Sequence, residues 1–307
     1  MTIDAEILAL ATMAEQLGLP RDFEGRAPSE IRAAFAAISF PMPEHPLARV
    51  EDLSVDGAAG ALPARLYAPR PDARDALVFF HGGGFVLGGL DQHDDLCRRL
   101  ATASDSVIVS VDYRLAPEQP FPAAPEDAYA AVCWVHARAR ELGVDPRAIG
   151  VAGDSAGGAL AAVVAQLAFA RGGPPLAVAL LLYPVTDHDL GRDSYVANAE
   201  APFLTSAQMG WFWDHYAPDP RDRLDPRASP LRAPSLAGLP PTVVATAGHD
   251  PLADEGAAYA AALAEAGVVV VHRRFAGLVH GFASLAPFAA AARNAFEEVA
   301  RDVRALR

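Results

Sequence analysis

Runs of apolar, β-branched residues alternate with helical stretches along most of this chain, and that alternation limits it to one broad architecture. Strands are expected at 76–80, 106–111, 147–152 and 176–182, with helices at 91–104, 125–142 and 156–170 between them. Repeated strand–helix units build a mostly parallel sheet wrapped by helices on both faces, with functional loops at the carboxyl ends of the strands. The segment Ala76-Leu77-Val78-Phe79-Phe80 has no polar position, as a strand covered on both faces requires. Before it, 50–55 and 61–67 read as an edge hairpin turning at Asp56-Gly57. The alternation resumes later with strand 242–247, helix 254–266, strand 268–275 and a closing helix striped by Phe288, Ala292, Phe296, Val299 and Val303. The expected class is α/β, with eight strands in all. The helix from Pro125 is marked at both ends, by proline with Glu126 and Asp127 at its positive end and by Gly143 after its last turn.

Two segments stand outside this rhythm. In residues 1–45, Ala9, Met13 and Leu17, then Ile31, Phe35 and Ile38, recur at helical spacing around a break at Gly18-Leu19-Pro20, until Pro41, Pro43 and Pro46 stop the pattern. Residues 185–239 are rich in Asp, Pro and Arg and carry one persuasive helix, Ser206 to Tyr216, with Trp211, Phe212 and Trp213. The expected organisation is an N-terminal helical segment (1–45), a sheet domain (46–184 and 240–307) and an insertion (185–239). The apolar faces Met13, Leu17, Ile31 and Phe35 in one segment, and Phe203, Leu204, Trp211 and Phe212 in the other, need partners. Apolar area left in water forgoes roughly 25 cal/mol per Å². The insertion leaves from the carboxyl end of the strand 176–182, so it is expected to cover the functional edge.

Composition removes several function classes. A formal charge of −13 repels nucleic acid and anionic surfaces and favours small, uncharged ligands. No run of eighteen apolar residues is free of charge or proline, so no membrane partner is expected. The acidic start, Met1-Thr2-Ile3-Asp4-Ala5-Glu6, differs from a secretory leader, and a cytoplasmic protein is expected. Cys97 and Cys133 fall in different helices with no paired spacing, so neither a disulfide nor a metal site is anticipated. A monomer and a homodimer fit the composition equally.

The chemistry centres on Gly153-Asp154-Ser155-Ala156-Gly157, where a buried strand runs through a small-residue turn into a helix. Glycines two residues either side of Ser155 suit a turn too tight for Cβ atoms, which holds a serine up at the end of a sheet. A serine nucleophile needs a base, and His280 lies in a loop after the last strand, on the same edge. The base needs a carboxylate, and Asp250 lies in the loop after strand 242–247. Asp254 and Glu255 are the alternatives, although the first turn of a helix already explains acids there. The developing negative charge needs donors. His81-Gly82-Gly83-Gly84 follows a central strand with backbone N–H groups free to converge, and Ala156 heads a helix. A phosphate loop is excluded because no Lys-Ser/Thr follows these glycines. His93 beside Asp94-Asp95, and Asp187-His188-Asp189, lack the spacing that converges on one metal ion.

On these residues the chain resembles the bacterial hormone-sensitive-lipase-like carboxylesterases of the α/β-hydrolase superfamily. The resemblance is carried by Phe80 to Phe85, Asp112 to Glu118, Gly153 to Gly158, Asp250-Pro251-Leu252 with Asp254-Glu255-Gly256, and His280-Gly281-Phe282. It spans roughly residues 65–307 and implies the α/β-hydrolase fold with one helical cap built from the N-terminal segment and the insertion together, set over Ser155. It also implies a triad of Ser155, Asp250 and His280, and oxyanion donors at Gly83, Gly84 and Ala156. His81 and Gly82 would support the oxyanion loop, and Phe85, Phe203, Leu204, Trp211 and Phe212 would line the substrate pocket. Gly248-His249 stands where many relatives have Glu-Tyr, and Gln119 replaces a common His, which touches the pocket lining alone. Short- to medium-chain carboxylic esters are the implied substrates, with no cofactor. Amide, lactone or carbamate hydrolysis would use the same groups, and a non-catalytic receptor of this fold would usually lack one of the three triad residues.

Overall fold

The computed structural model describes residues 2–37 and 42–307, so Ile38 and Pro41 lie outside the described residues. Its strands are β1 (Arg49–Gly57), β2 (Gly60–Ala68), β3 (Ala76–Phe80), β4 (Val107–Val111), β5 (Ile149–Asp154), β6 (Ala179–Leu182), β7 (Thr242–His249) and β8 (Val270–Val279). They form one sheet in the order β1-β2-β4-β3-β5-β6-β7-β8. β1 and β2 make the expected hairpin and β2 pairs antiparallel with β4; every other pairing is parallel.

The apolar strands feed two cores, one on each face, because successive side chains point to opposite sides. Val78 and Phe80 of β3 join Leu160 and Val164 of α6 (Ala156–Ala170), Val132 of α4 (Ala123–Ala137) and Leu263 of α9 (Ala253–Glu265). Leu77 and Phe79 join Leu100 of α3 (Asp94–Ser104) and Phe296, Val299 and Val303 of α10 (Ala290–Ala305). Phe288 precedes α10, so the closing stripe starts at Ala292.

Several boundaries differ from expectation for identifiable reasons. α4 begins at Ala123, and a four-residue α5 (Ala139–Leu142) continues to Gly143, whose φ of 86° ends it. Asp127 does not serve the helix dipole at the surface. It is fully buried, accepting from the Ala58 N–H at 2.9 Å and from Arg114 Nε at 2.6 Å. β7 and β8 run past Gly248 and Gly277 to the pair His249 and Val279. Gly248 reads as a break in the sequence, yet here it lets the backbone of Ala276 pass where a Cβ would overlap it.

The N-terminal segment is α1 (Ala5–Gln16) and α2 (Pro28–Ala36). Met13 and Leu17 are 37% and 50% exposed, and Ile7 and Ala14 are buried instead. Apolar residues lie on nearly every side of α1, so periodicity cannot choose its face. Tethers do: the Asp4 N–H donates to the Gly277 carbonyl, and the Ala290 N–H to Glu6 Oε2. Phe23 and Ile31 are buried, while Phe35 is 40% exposed. The insertion holds α8 (Ser206–Tyr216), capped reciprocally by Thr205 and Gln208, together with a five-residue α7 (Asp193–Ala197) that is too short to show a period. Phe23 packs edge-on against Trp211 and Phe212 at 5.2 and 5.8 Å, and Gln208 and Trp211 donate to the carbonyls of Arg21 and Arg26. Among the described residues no helix is long and apolar enough to cross a membrane.

Candidate active site

The sheet register gathers the candidate groups. Asp154, the last residue of β5, pairs with Leu182 of β6, which pairs with Ala245 of β7. Adjacent strands β7 and β8 end in the register pair His249 and Val279, so Asp250 and His280 leave the sheet side by side. All three loops open on one edge.

Ser155 sits between β5 and α6 with φ 54° and ψ −118°, a conformation that costs an ordinary residue about 1–3 kcal/mol. The turn is tight enough that a Cβ on Gly153 would overlap the Gly157 carbonyl, and one on Gly157 the Phe80 carbonyl. The Ser155 N–H donates to Leu182 O at 2.8 Å and its carbonyl accepts from the Val185 N–H at 3.2 Å, which pins the strained residue to the end of β6 and the loop that follows it.

His280 bridges the other two groups. Its Nε2 lies 2.9 Å from Ser155 Oγ and its Nδ1 2.9 Å from Asp250 Oδ2. A carboxylate only accepts, so Nδ1 carries the hydrogen and Nε2 presents its lone pair to the hydroxyl. Asp250 is fully buried, and its Oδ1 accepts from the Leu252 N–H at 2.8 Å, which fixes the carboxylate plane. The Tyr183 ring meets the imidazole edge-on at 4.8 Å. Asp254 and Glu255 do not reach His280. They bond instead to Ser194, and to Thr186 and Tyr195.

The glycine loop after β3 faces the same serine turn. Gly82 is committed, its N–H donating to Asp154 Oδ1 at 2.8 Å. Among the described residues none accepts a hydrogen bond from the N–H groups of Gly83, Gly84 or Ala156. Gly83 and Gly84 have φ of 115° and 61°, in the region that favours glycine. His81 is fully buried, stacked on Tyr113 at 4.4 Å, with its Nδ1 2.7 Å from the Gly82 carbonyl. The Tyr113 hydroxyl donates to the His81 carbonyl at 2.7 Å. Burial, followed by the His93 charge, pushes the His81 imidazole down to about 3, so it remains neutral.

Sequence reasoning assigned no role to Asp154, His93 or Tyr113, although the first and last lie inside quoted motifs. His93 turns away from Asp94-Asp95 and lies 3.5 Å from Asp154. Burial opposes its charge, but the Asp154 carboxylate outweighs that and raises its pKa. Asp187 pairs with Arg192 and Arg232. Only contact information could have found these partners, since each pair is distant in sequence or follows no period.

The expected pocket residues divide. Phe212 lies directly on the glycine loop, where a Cβ on Gly84 would strike its ring. Phe85 is buried and stacked on Tyr216 at 3.8 Å, and Leu204 is buried. Trp211 packs beside Phe23 and His215. Phe203 is 39% exposed and, with Phe35, Pro202 and Ala11, borders a separate small cavity between α1 and the insertion, to which none of Ser155, Asp250 and His280 contributes.

Comparison with known proteins agrees with this architecture. Residues 77–284 match the alpha/beta hydrolase fold family. Esterase LipI of Mycobacterium tuberculosis is 48% identical over 259 residues, covering 82% of this chain and 81% of that protein. Ethyl acetate hydrolase of Pseudomonas putida is 41% identical over 76% of this chain and 75% of its own. Among solved structures, a hyperthermophilic esterase from the archaeon Pyrobaculum calidifontis superposes with a TM-score of 0.91 at 41% identity, covering 99% of both chains. On matches of this extent, the chain belongs to the hormone-sensitive-lipase-like carboxylesterase family of the α/β-hydrolases.

Proposed function

We propose that this carboxylesterase hydrolyses short- to medium-chain carboxylic esters through an acyl-enzyme on Ser155. The observation that carries the reading is the imidazole of His280 bridging Ser155 Oγ and Asp250 Oδ2, 2.9 Å from each. His280 Nε2 takes the hydroxyl proton as Ser155 Oγ attacks the ester carbonyl, and Asp250 stabilises the imidazolium that forms. Charge developing on the carbonyl oxygen is received by the N–H groups of Gly83, Gly84 and Ala156, which have no other acceptor among the described residues. Nε2 then returns the proton to the departing alcohol, and water repeats the sequence to release the acid.

The N-terminal segment and the insertion act as one cap in this reading. Its support is the aromatic cluster of Phe23, Trp211 and Phe212, with Phe212 set against Gly84. The acyl group then lies against Phe212 and Phe85. The unpaired thiols Cys97 and Cys133 favour the cytoplasm as the working compartment. A panel of acyl esters of graded length, run beside an amide and a lactone, tests the substrate class. Highest kcat/KM on acyl chains of roughly two to eight carbons is expected, and a preference for the amide or the lactone would contradict it.

A further inference from the structure

The two acids after Asp250 that do not face His280 both point into the insertion. Asp254 Oδ2 accepts from the Ser194 N–H at 2.8 Å, while Ser194 Oγ donates to the Pro251 carbonyl at 2.6 Å and accepts from the Asp254 N–H at 3.3 Å. One turn further along, Asn198 Nδ2 donates to the Asp250 carbonyl at 3.2 Å and to the Ser194 carbonyl at 3.1 Å. Glu255 is fully buried. Its carboxyl accepts from the Thr186 N–H at 2.7 Å, the Asp187 N–H at 3.4 Å and the Tyr195 hydroxyl at 3.1 Å. Thr186 Oγ1 returns a bond to the Glu255 carbonyl at 2.8 Å.

These bonds join two distant stretches, residues 186–198 and 250–255, and they come from α7 with its capping residue Asn198 at one end and from Thr186 and Asp187 at the other. A five-residue helix cannot hold itself in place, because one turn fixes several residues for a single hydrogen bond. The position of α7 is therefore set by what it grips: Ser194 holds the Pro251 carbonyl and Asp254, Tyr195 holds Glu255, and Asn198, the residue that caps the end of α7, holds the Asp250 carbonyl. Asp187 strengthens the near end through Arg192 and Arg232.

We propose that α7 is a clamp on the Asp250 loop, in which Ser194 and Asn198 are positioning residues for Asp250 and Glu255 anchors the clamp to α9. The proposal rests on the reading of Asp250 as the acid partner of His280. The insertion then does two things at once: it covers the site, and it sets where the carboxylate stands relative to the imidazole. Removing the Asn198 amide leaves the Asp250 carbonyl with only the Ala253 N–H at 3.1 Å, and frees the loop to relax away from His280. Displacements of about 1 Å in catalytic geometry cost up to about a hundredfold in rate.

Full-length Asn198→Ala, Ser194→Ala and Asp250→Asn, and Asn198→Ala combined with Asp250→Asn, would be assayed on one short acyl ester after circular dichroism shows each to be folded. Asn198→Ala and Ser194→Ala are each expected to lower kcat by about tenfold while KM stays within about twofold. In the Asp250→Asn background, adding Asn198→Ala is expected to cost less than about twofold, because the two changes act through one group. Should the buried Ser194→Ala variant fail to fold, the partly exposed Asn198→Ala carries the test alone. A kcat within twofold of wild type for Asn198→Ala overturns the clamp, as does an equal Asn198→Ala loss in both backgrounds. Asp250→Asn with near-full activity removes Asp250 from the triad, a separate failure recognisable in that single variant, and the clamp falls with it.

Discussion

The ring of Phe212, on the helix α8 of the insertion, lies so close to Gly84 of the glycine loop that a Cβ on Gly84 would overlap it. The proposed cap and the proposed oxyanion loop therefore meet at one contact. Gly84→Ala must move either the aromatic ring or the N–H of residue 84, and its φ of 61° disfavours alanine as well. A loss of kcat by about 10²-fold is expected, the scale of one oxyanion donor lost. Phe212→Ala should leave the donor in place and shift the preference toward longer acyl chains. Steady-state kinetics on graded esters check both; a Gly84→Ala variant altered only in KM would make the loop a binding surface.

Asp250 and Asp254 are four residues apart, but only Asp250 contacts His280, at 2.9 Å. Asp250→Asn should lower kcat by about 10⁴-fold, because an amide can leave the imidazole in the wrong tautomer. Asp254→Asn keeps an oxygen to accept from the Ser194 N–H and loses only the charge, so it should cost less than about tenfold. Equal losses in two folded variants would show that the wrong acid has been paired with the histidine.

Burial pushes the Glu255 carboxyl up to about 8, against the N–H donors of Thr186 and Asp187 and the Tyr195 hydroxyl. Asp187 adds a like charge nearby and Arg192 an opposite one. In the unfolded chain a glutamate titrates near about 4.3, so between that pH and about 8 the folded state holds the extra proton. The neutral acid's contribution is thus complete below the unfolded pKa and is lost as pH rises through the folded one. Glu255→Gln keeps the shape without the titration. Its melting temperature should fall less than that of the wild type from about pH 5 to 9; parallel curves would contradict the assignment.

Arg32 of α2 fastens the N-terminal segment to the sheet domain. Its Nε donates to the Val86 carbonyl at 2.8 Å, and its other nitrogens to the Ala116 carbonyl and the Glu118 carboxylate at 2.7–2.8 Å. Arg32→Ala should loosen α2 over the site and lower kcat/KM about two- to tenfold, more for longer acyl esters than for acetate. An unchanged chain-length profile in a folded variant would remove α2 from the substrate site.

Much of the fold was legible in the sequence. Strand–helix alternation announced the parallel sheet, and Gly153-x-Ser155-x-Gly157 marked the turn because steric demand there leaves glycine little alternative. Ser155, Asp250 and His280 could be named because each follows a strand end, and strand ends share an edge. What escaped was set by packing. The face of α1 depended on tethers to Gly277 and Ala290, and α7 was too short for a period. The buried roles of Asp127, Asp154 and Glu255 each depend on partners far away in sequence.

The central claim, that Ser155 is the nucleophile activated by His280, is met most directly by covalent labelling. Full-length protein treated with an organophosphonate ester and analysed by peptide mass spectrometry should carry one adduct, on the peptide containing Ser155, with activity falling in proportion to the label. His280→Ala should slow labelling by at least about 10³-fold, and Ser155→Ala should neither label nor hydrolyse esters. An adduct on another residue, or Ser155→Ala retaining activity within about tenfold of wild type, would contradict the account.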